Sequence, residues 1–356
     1  MKRITVLLAA ILVLGFAACS QKQTDIGEAP VPAEASPISA PVSATPEPTA
    51  TPVPTPEPTA TPVPTPEPTA TPEPTVAPVT FAWVSDTQGY VAAYPEMFTA
   101  MTTWIRDNRD AYNIQYLLHT GDIVNEPRND RQWERATESL GVLKGVMPIF
   151  AVGGNHDIAG VCHEYGRYNS CMSAVGAADW PTVEAFEEKG RRCDLIDIGD
   201  ERYMLIGIGY CVSMNDVEWM RQKLEEHADR KAILLFHWLL DADLTVDSPK
   251  NTDGTRIYRN VLQKCDNIAL VLCGHKHTVN HTTIDITDPD DRNTVLRSIP
   301  VVIGDYQGGE RDGGYLFLIT FDVEAREIRF TSYSPVKDDF NYLDDETIET
   351  FTLRMP

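Results

Sequence analysis

The sequence predicts an α/β domain in which β-sheets form the middle of the molecule and helices pack outside them. From residue 79 onward, short apolar runs alternate with segments whose apolar side chains recur at helical spacing, and the end of the chain from residue 295 is richer in strands. Most of the runs are continuously apolar, which is typical of strands that are covered on both faces. Strand–helix alternation of this kind indicates sheets flanked by helices.

Seven apolar runs are the predicted strands of this domain, and polar or turn segments bound them. They are VTFAWVSD (79–86), IQYLLHTGD (114–122), MPIFAVGGNHD (147–157), RYMLIGIGY (202–210), KAILLFHW (231–238), IALVLCGHKH (268–277) and GYLFLITFDV (314–323). Apolar residues at helical spacing predict helices around 97–105, 133–140, 217–224 and 257–262. Residues 158–200 interrupt the alternation with a polar, glycine-rich stretch, for which we expect a structureless insertion on the substrate side of the domain.

The start of the chain differs sharply in composition from the domain. Residues 1–18 contain Lys2 and Arg3, then an apolar run and two alanines before Cys19. This pattern resembles a bacterial lipoprotein signal and predicts cleavage before a lipidated Cys19. A signal anchor and an ordinary cleaved signal peptide are the alternatives, although the run is short for a membrane span. We therefore expect an exported lipoprotein, held by Cys19 at the extracellular or periplasmic face of a bacterial membrane.

Residues 19–78 are dominated by proline. Residues 30–78 hold 17 of the 26 prolines, and a ten-residue unit is repeated, as TPEPTATPVP at 45 and 55 and as TPEPTATPEP at 65. Proline at this density excludes helix and sheet, and the segment offers nothing apolar that could form a core. We expect a disordered Pro/Thr-rich linker that holds the domain, residues 79–356, away from a membrane or spans a cell wall.

The chain is strongly acidic. Its formal net charge is −22, and the part from residue 80 onward contributes −18 of this, with 27 Lys or Arg against 45 Asp or Glu. At long range such a surface repels nucleic acid and anionic lipid, so no nucleic-acid-binding surface is expected. An anionic substrate would need local positive charge, which metal ions would supply.

Six cysteines follow Cys19, and an even number in an exported protein permits disulfides. Cys162 and Cys171 lie in one polar stretch and are the best candidate pair. Cys273 ends an apolar run and suits a buried free thiol equally well.

Polar side chains with metal-binding chemistry follow five of the predicted strands. They are Asp86 and Gln88, Asp122, Asn155 and His156, His237, and His275 and His277. Because sites in open α/β sheets form beyond the carboxyl ends of strands, these residues could converge on one spot. Carboxylates, amides and imidazoles together suit divalent Mn, Fe, Co or Zn rather than calcium or structural zinc. There are enough ligands for two ions that share one carboxylate.

Five short motifs occur in order along the domain: SDTQ (85–88), GDIVNE (121–126), GNHD (154–157), FHW (236–238) and GHKH (274–277). In this order, and each after a predicted strand, they resemble the motifs of the calcineurin-like metallophosphoesterase superfamily. The first motif is written D-T-Q, as in one of its subgroups. The resemblance covers nearly all of residues 79–356. It implies a four-layer αββα sandwich, with two packed mixed β-sheets flanked by helices.

The resemblance also implies roles for the strand-end residues. One metal would be held by Asp86, Gln88, His277 and a bridging Asp122, and the second by Asp122, Asn155, His237 and His275. Two divalent ions, Mn, Fe or Zn, would activate a bridging hydroxide that attacks phosphorus in line with the leaving oxygen. His156 would face the substrate and either protonate the leaving group or stabilise the phosphoryl charge, while the glycines before it would let the turn bend tightly.

Three positions depart from the family pattern. Gln88 replaces the usual His, and an amide oxygen is a weaker and harder ligand. Asn125 stands where many relatives carry an Asp that pairs with the catalytic His, and Glu126 stands where many carry a phosphate-binding Arg. A guanidinium would then come from elsewhere, and Arg167 is the candidate, with an ordinary surface arginine as the alternative. Asn125 and Asp157 are further candidates for contacts that support the ligands or the substrate.

These features together predict a surface-anchored, metal-dependent phosphoesterase that hydrolyses a phosphate ester, with a phosphodiester slightly preferred over a phosphomonoester. The alternative is an extracellular binding or adhesion module whose metal-stabilised site is inactive. The complete ligand set and the presence of His156 favour the enzyme.

Overall fold

The computed structural model describes residues 76–160, 162, 164–246, 248–291, 293–308, 313–343 and 345–356. The predicted signal, the lipidated Cys19 and the proline-rich repeats lie outside these residues. Within the described ranges, no helix combines the length and the apolar character that crossing a membrane requires.

The strands in the described part of the chain are β1 (Val79–Val84), β2 (Ile114–His119), β3 (Ile149–Ala151), β4 (Val183–Glu187), β5 (Arg191–Ile198), β6 (Glu201–Ile208), β7 (Lys231–Phe236), β8 (Ile268–Cys273), β9 (Val279–Thr287), β10 (Val295–Gly304), β11 (Leu316–Asp322), β12 (Glu327–Tyr333) and β13 (Thr350–Arg354). The helices are α1 (Gln88–Ala93), α2 (Pro95–Asp107), α3 (Asp130–Gly141), α4 (Gly166–Ala174), α5 (Met214–Glu226), α6 (Thr252–Ile257) and α7 (Glu346–Glu349). A π-helical turn, Tyr258–Leu262, continues α6.

Local sequence explains where the main helices begin. Helix α2 starts at Pro95, whose fixed φ suits the first turn of a helix. The Asn129 side chain accepts from Gln132 N at the start of α3. Helix α5 begins with a reciprocal capping box between Ser213 and Asp216.

The strands form two mixed sheets. The first has the order β13-β12-β11-β1-β2-β3, and the second has the order β4-β5-β6-β7-β8-β10-β9. Strands β1, β2 and β3 are parallel to one another, as are β6, β7, β8 and β10, whereas the remaining pairings are antiparallel. Parallel neighbours end at the same edge of a sheet, so the turns that follow them lie side by side.

Three apolar clusters hold the layers together. Side chains of β1 alternate between the first two clusters. Ala82 and Val84 pack against helices on the outer face of the first sheet, whereas Phe81 and Trp83 pack between the two sheets. The third cluster packs α5, through residues such as Met220, against the outer face of the second sheet. The predicted arrangement of two mixed sheets flanked by helices is therefore confirmed.

Residues 158–200 are not the structureless insertion that the sequence predicts, because they contain α4, β4 and β5. Tyr168 is fully buried, and its hydroxyl donates to Ala151 O (2.8 Å) at the end of β3. The Tyr165 hydroxyl donates to Tyr210 O (2.7 Å). The polar groups of this segment thus anchor it to the rest of the domain.

The disulfide predicted between Cys162 and Cys171 is not formed. Cys162 is instead bonded to Cys211, 49 residues further along the chain, with Cα atoms 5.6 Å apart. Helix α4 turns Cys171 inward, where it is a buried free thiol that accepts from the Thr137 hydroxyl (3.2 Å). Cys273 is a buried free thiol, in agreement with one of the sequence-based alternatives.

Candidate metal centre

The residues predicted as metal ligands lie at the carboxyl ends of β1, β2, β3, β7 and β8. We call them the strand-end cluster, which comprises Asp86, Gln88, Asp122, Asn155, His237, His275 and His277. Each strand is fully or mostly buried, and the polar residues follow directly after its apolar part. Parallel pairing within each sheet places these turns at common edges, where ligand sites of α/β proteins form.

His237 lies at the centre of the strand-end cluster. Its Nδ1 is 2.9 Å from Thr120 O, and its Nε2 is 2.9 Å from Asn155 Oδ1, 3.1 Å from His275 Nδ1 and 3.4 Å from Asp122 Oδ1. A carbonyl oxygen can only accept, so Nδ1 carries a hydrogen, and a lone pair on Nε2 would face the other three groups once a cation is bound. This is the tautomer that a metal-binding histidine requires.

The atoms around His237 favour a positive charge between them. Asp122, His237 and His275 offer donor atoms that all lie within 4.8 Å of one another. Burial alone would lower the pKa of His237, but the carboxylates of Asp122 and Asp86 raise it to about 10. Without a metal, the His237 ring would therefore carry a second proton on Nε2, and a divalent cation would take the place of that proton. The mixture of carboxylate, amide and imidazole donors fits such an ion.

A chain of hydrogen bonds holds Asp86 from the core. Trp83 Nε1 donates to Thr120 Oγ1 (3.0 Å), the Thr120 hydroxyl donates to Ser85 Oγ (2.6 Å), and the Ser85 hydroxyl donates to Asp86 Oδ2. Since every hydrogen in the chain points toward Asp86, its carboxylate is the final acceptor. Burial and the neighbouring Asp305 raise the pKa of Asp86 well above its usual range, so a nearby cation would stabilise the ionised form.

Three members of the strand-end cluster have a left-handed backbone. The φ angles of Asp86, Asp122 and His275 are 53°, 56° and 73°. Such angles are uncommon for residues with a Cβ and concentrate at functional sites. The surroundings hold them in place: His275 N, for example, donates to both carboxylate oxygens of Asp86 (3.2 and 3.1 Å).

Glycines in the GNHD and GHKH motifs allow close approach of neighbouring residues. The sequence predicts instead that the glycines before His156 permit a tight bend of the backbone. Neither Gly153 nor Gly154 has a left-handed φ. A Cβ at Gly154 would lie 2.1 Å from Asp122 Oδ1, and a Cβ at Gly274 would lie 2.2 Å from Asp86 Oδ2. The two glycines therefore let strand ends approach until the ligands meet.

His156 contacts the strand-end cluster through its backbone, which leaves its ring available to a substrate. Its N–H donates to Asp122 Oδ1 (2.8 Å), and its ring Nδ1 is 2.9 Å from Asn125 O. Because a carbonyl only accepts, Nδ1 carries a hydrogen, and Nε2 is the nitrogen that remains for proton transfer. Asn125 therefore orients His156 through the main chain, not through the side chain that replaces the family's Asp.

Asp157 is a buried clamp between two turns. Its Oδ1 accepts from Ile123 N (2.8 Å) and Val124 N (3.0 Å), and its Oδ2 accepts from Gly154 N (2.8 Å). Burial raises the pKa of Asp157 to about 7. Asp157, which is only 1% exposed, therefore ties the turn after β2 to the turn after β3.

A cavity of about 510 Å³ opens over the strand-end cluster. It is lined by Gln88, Asp122, Asn125, Asn155, His156, His275, Lys276, His277 and Gln307. Among these described lining residues, Lys276 is the one Lys or Arg, and its ammonium lies 4.6 Å from the centre of the Trp238 ring. Local positive charge of this kind is what an anionic substrate of an acidic protein requires.

Arg167, the sequence-based candidate for a phosphate-binding guanidinium, does not lie at this cavity. Helix α4 presents it to α3, where it forms an ion pair with Asp130 (2.8 Å). It lines a separate cavity that also contains Glu134 and Glu138. An ion pair with acidic neighbours is a poor place for a phosphate, so the structure does not bring Arg167 to the strand-end cluster.

Three residues at the centre were not predicted from the sequence: Lys276, Asp305 and Gln307. Asp305 is fully buried directly after β10, and Gln307 Oε1 accepts from Gln88 Nε2 (3.1 Å). A signal for Asp305 exists in the sequence, because IPVVIGD (299–305) is another apolar run that ends in a carboxylate. Lys276 stands between the two histidines of GHKH.

Comparison with known proteins gives matches in sequence. Residues 79–279 match the family described as calcineurin-like phosphoesterase. The uncharacterized protein YvnB of Bacillus subtilis (strain 168) is 34% identical over 274 residues, which are 75% of this chain and 21% of YvnB. The chain therefore spans about a fifth of the length of that curated relative.

Two solved structures share the fold. A dimetal phosphatase from Danio rerio has a TM-score of 0.52 at 11% identity, with 79% of this chain and 100% of that chain covered. Purple acid phosphatase PPD1 from yellow lupin (Lupinus luteus) seeds has a TM-score of 0.51 at 13% identity, with 79% of this chain and 54% of that chain covered. At these identities the likeness concerns the fold alone.

Proposed function

The chain belongs to the calcineurin-like phosphoesterase family, and from this premise we propose that it is an exported, metal-dependent hydrolase of phosphate esters with a slight preference for diesters. One observation carries the proposal. The buried Nε2 of His237 lies among donor atoms of Asp122, Asn155 and His275, and His156 lies beside them at an open cavity. The first set suits a divalent cation, and the adjacent imidazole suits proton transfer.

Two divalent cations, Mn, Fe or Zn, would neutralise phosphate oxygens and lower the pKa of an attacking water when bound. Asp122 would serve both, which is supported by the distances from its Oδ2 to Gln88 Nε2 (3.3 Å) and from its Oδ1 to His237 Nε2 (3.4 Å). The other ligands divide into two halves of the centre, one with Asp86, Gln88 and His277 and the other with Asn155, His237 and His275.

His156 is the group that would protonate the leaving oxygen. The Asn125 carbonyl holds the hydrogen on Nδ1, so a hydrogen on Nε2 of the imidazolium is free to move to the departing alkoxide. After the transfer, the neutral ring keeps its Nδ1 hydrogen and therefore its orientation. Lys276, which lines the same cavity, would attract the anionic ester.

The charge of the cavity supports the preference for diesters. A phosphomonoester is close to a dianion at neutral pH, whereas a phosphodiester carries a single negative charge. Lys276 is the one Lys or Arg among the described lining residues, and Glu126 stands where many relatives have an Arg. A monoanion needs less positive charge from the protein, and an open cavity leaves room for its second ester group.

The disulfide supports export. Cys162 and Cys211 are bonded, and structural disulfides form and persist in oxidising compartments. We propose that Cys19 is lipidated and that residues 19–78 act as a linker between a membrane and the domain. A Cys19→Ala variant is expected to leave the membrane fraction and to lose incorporation of labelled palmitate; a variant that stays labelled would contradict the anchor.

The catalytic proposal is tested with the purified full-length chain in detergent. After chelation, turnover of bis-p-nitrophenyl phosphate and p-nitrophenyl phosphate is measured with Mn²⁺, Fe²⁺ or Zn²⁺ added back. We expect metal-dependent hydrolysis that is faster on the diester. Asp122→Asn should abolish turnover because both halves of the centre lose a shared ligand, whereas Asp130→Asn, which alters an exposed carboxylate, should not.

Two results would revise the proposal in different ways. Absence of turnover with all three metals, while metal still binds stoichiometrically, would favour the inactive binding module. Faster hydrolysis of the monoester would overturn the diester preference and leave the phosphoesterase in place.

A further inference from the structure

Two buried oxygen atoms near the cavity have no hydrogen-bond partner among the residues that the structure describes. They are Gln88 Oε1 and Asp305 Oδ2, and these residues are 3% and 0% exposed. Buried acceptors are nearly always hydrogen-bonded, and a buried carboxylate oxygen is costly unless it meets a donor or a cation. Gln307 contacts both residues, because its side chain accepts from Gln88 Nε2 and its N–H donates to Asp305 Oδ1.

The orientation of the Gln88 amide is chemically determined. Its Nε2 donates to Asp122 Oδ2 (3.3 Å) and to Gln307 Oε1 (3.1 Å). The flipped amide would place Oε1 against two oxygens, of which the carboxylate can only accept. The Gln88 carbonyl oxygen is therefore directed away from these partners, and it remains an acceptor without a donor.

Asp305 is fixed at the edge of the second sheet. Its N–H donates to Thr278 O (3.0 Å), and its Oδ1 accepts from Gln307 N (2.9 Å), so Oδ2 alone is left. Strand β10 runs parallel to β8, which places Asp305 at the same sheet edge as His277. The hydrogen bond from Gln307 N holds this carboxylate in place.

Asp305 and Asp86 are buried carboxylates that lie close to each other. Ile303 pairs with Cys273, so Asp305 lies opposite His275, whose N–H donates to both carboxylate oxygens of Asp86. Two like charges repel strongly where water is excluded, and a cation that contacts both removes the repulsion. The unpartnered oxygens and the position of a second buried carboxylate opposite His275 both favour a cation at this point.

We propose that Asp305 is a further ligand of the metal centre, where Asp305 Oδ2 and Gln88 Oε1 bind the same divalent cation as Asp86 and His277. Gln307 is the positioning residue that holds the Gln88 amide. The inference rests on the metal centre of the proposed function and gives its two halves different chemistry.

The half with Asp305 offers mainly oxygen ligands, while the half around His237 offers two imidazoles. Oxygen ligands favour harder cations such as Mn²⁺, and imidazoles suit Zn²⁺. The oxygen-rich half would therefore discriminate less against Mn²⁺, relative to Zn²⁺, than the half around His237. The presence of Gln88 in place of the family's His and the addition of Asp305 both increase the share of oxygen ligands in this half.

Metal binding to the full-length chain tests this assignment without any measurement of turnover. Equilibrium dialysis with Mn²⁺ alone and with Zn²⁺ alone gives stoichiometry and affinity, and electron paramagnetic resonance reports bound Mn²⁺. For the wild-type chain we expect two ions per chain. In Asp305→Asn one Mn²⁺ site should weaken by about tenfold to 100-fold, with the second site unchanged and Zn²⁺ affected less.

A matched control is Asp322→Asn. Asp322 also follows a buried strand segment and accepts from a turn N–H, that of Ala325 (2.9 Å). Its neighbour Phe321 pairs with Val79 at the start of β1, so Asp322 lies at the opposite end of β1 from Asp86. Both Mn²⁺ sites of this variant should match those of the wild type.

Two variants of Gln307 test its positioning role. Gln307→Leu removes the acceptor of the Gln88 amide and should weaken the same Mn²⁺ site as Asp305→Asn. Gln307→Glu keeps an acceptor and should restore that site. A purely structural effect would not distinguish the two variants, so equal Mn²⁺ affinity in both would overturn the positioning role.

The outcomes separate this inference from the proposed function. Two unperturbed Mn²⁺ sites in a folded Asp305→Asn would overturn Asp305 as a ligand while the phosphoesterase stands. A wild-type chain that binds no metal would overturn both. If thermal unfolding shows that Asp305→Asn is not folded, Asp305→Ala takes its place in the same assay, and two unperturbed Mn²⁺ sites in that folded variant would overturn Asp305 as a ligand.

Discussion

The strand-end cluster and residues 158–200 meet at the GNHD turn, and both are rich in polar groups. In the cluster, His237 Nε2 and the oxygens of Asn155 and Asp122 crowd together without a donor that satisfies them all. In residues 158–200 several buried polar groups are partnered within the protein, although Asn169 Oδ1 and Arg191 Nε are not. Arg192, for example, is fully buried and donates to both carboxylate oxygens of Asp194 (2.7 Å each).

This difference separates polar residues that serve chemistry from those that serve stability. Buried groups with complete partners contribute to folding, whereas converging acceptors destabilise the protein unless a cation binds them. Changes in the strand-end cluster should therefore alter turnover or metal binding with little effect on unfolding. Changes in residues 158–200 should do the opposite, and the following variants test this division.

The largest effect is expected for His156→Ala. Loss of the general acid should lower kcat by about 10²–10⁴-fold on an alkyl phosphodiester, whose alkoxide leaving group needs a proton. The decrease should be much smaller on bis-p-nitrophenyl phosphate, because nitrophenolate leaves without one. The midpoint of thermal unfolding and the metal content should stay unchanged, because His156 binds the cluster through its backbone N–H. The control is His227→Ala, which removes a partly buried histidine at the end of α5 and should retain full turnover. A His156→Ala enzyme within tenfold of the wild type on the alkyl phosphodiester would show that the leaving group is protonated elsewhere.

Arg192→Leu is expected to have the largest effect on stability. It leaves the Asp194 carboxylate buried without its cation, which should lower the free energy of unfolding by about 3–5 kcal/mol. Denaturant unfolding measures this, with kcat of the folded fraction unchanged. The double variant Arg192→Leu/Asp194→Leu should recover most of the loss. Arg202→Leu, which breaks an exposed pair with Asp229, should cost less than about 1 kcal/mol.

The buried Arg192–Asp194 pair also explains why this segment could not be predicted from the sequence. The stretch GRRCD reads as a polar loop, yet Arg192 and Asp194 are completely buried within β5. Because the two charges are paired, both side chains can be buried, and the Arg192 guanidinium also lies 4.9 Å from the centre of the Phe150 ring. A pattern of apolar residues cannot reveal a strand whose buried side chains are charged but mutually satisfied.

The strand-end cluster could be predicted because each member follows an apolar run of the sequence. Asp305 also follows an apolar run, but its connection to the metal centre depends on the sheet topology, which the sequence does not reveal. Strand β10 lies parallel to β8, so its end meets His277, and Gln307 then contacts Gln88 across 219 positions in sequence. The prediction of a Cys162–Cys171 disulfide was wrong for a related reason. Helix α4 turns Cys171 toward the core, so its nearness to Cys162 in sequence did not bring the two thiols together.

Loss of the Cys162–Cys211 disulfide should have the next largest effect on stability. The bond closes a loop across 49 positions, and such a bond typically contributes about 2–4 kcal/mol. Cys162→Ser/Cys211→Ser should lower the unfolding midpoint, and a reductant should lower that of the wild type to the same value. An unfolding midpoint that responds to reductant in the double variant would contradict this pairing.

Lys276→Met should alter substrate binding with little effect on stability. A charge-assisted hydrogen bond to an anion contributes about 1.5–3 kcal/mol, so kcat/KM should fall by roughly tenfold to 100-fold. Methionine keeps much of the length and the apolar character of the lysine stem but removes the ammonium above the Trp238 ring. The decrease should shrink at high salt, since screening already weakens the attraction in the wild type. Equal salt dependence of the two enzymes would exclude a direct role for the Lys276 charge.

The smallest effect is expected for Arg167→Ala, which distinguishes a guanidinium that binds substrate from one that pairs on the surface. Arg167 and Asp130 have side chains that are 42% and 77% exposed, and exposed pairs of this kind contribute less than about 1 kcal/mol. Because α4 directs Arg167 toward Glu134 and Glu138, its removal should leave kcat/KM within about twofold and the free energy of unfolding within about 0.5 kcal/mol. A loss of kcat/KM as large as that of Lys276→Met would mean that α4 moves toward the cavity when substrate binds. Residues 158–200 would then take part in the chemistry, and the division between the two regions would hold only for the free protein.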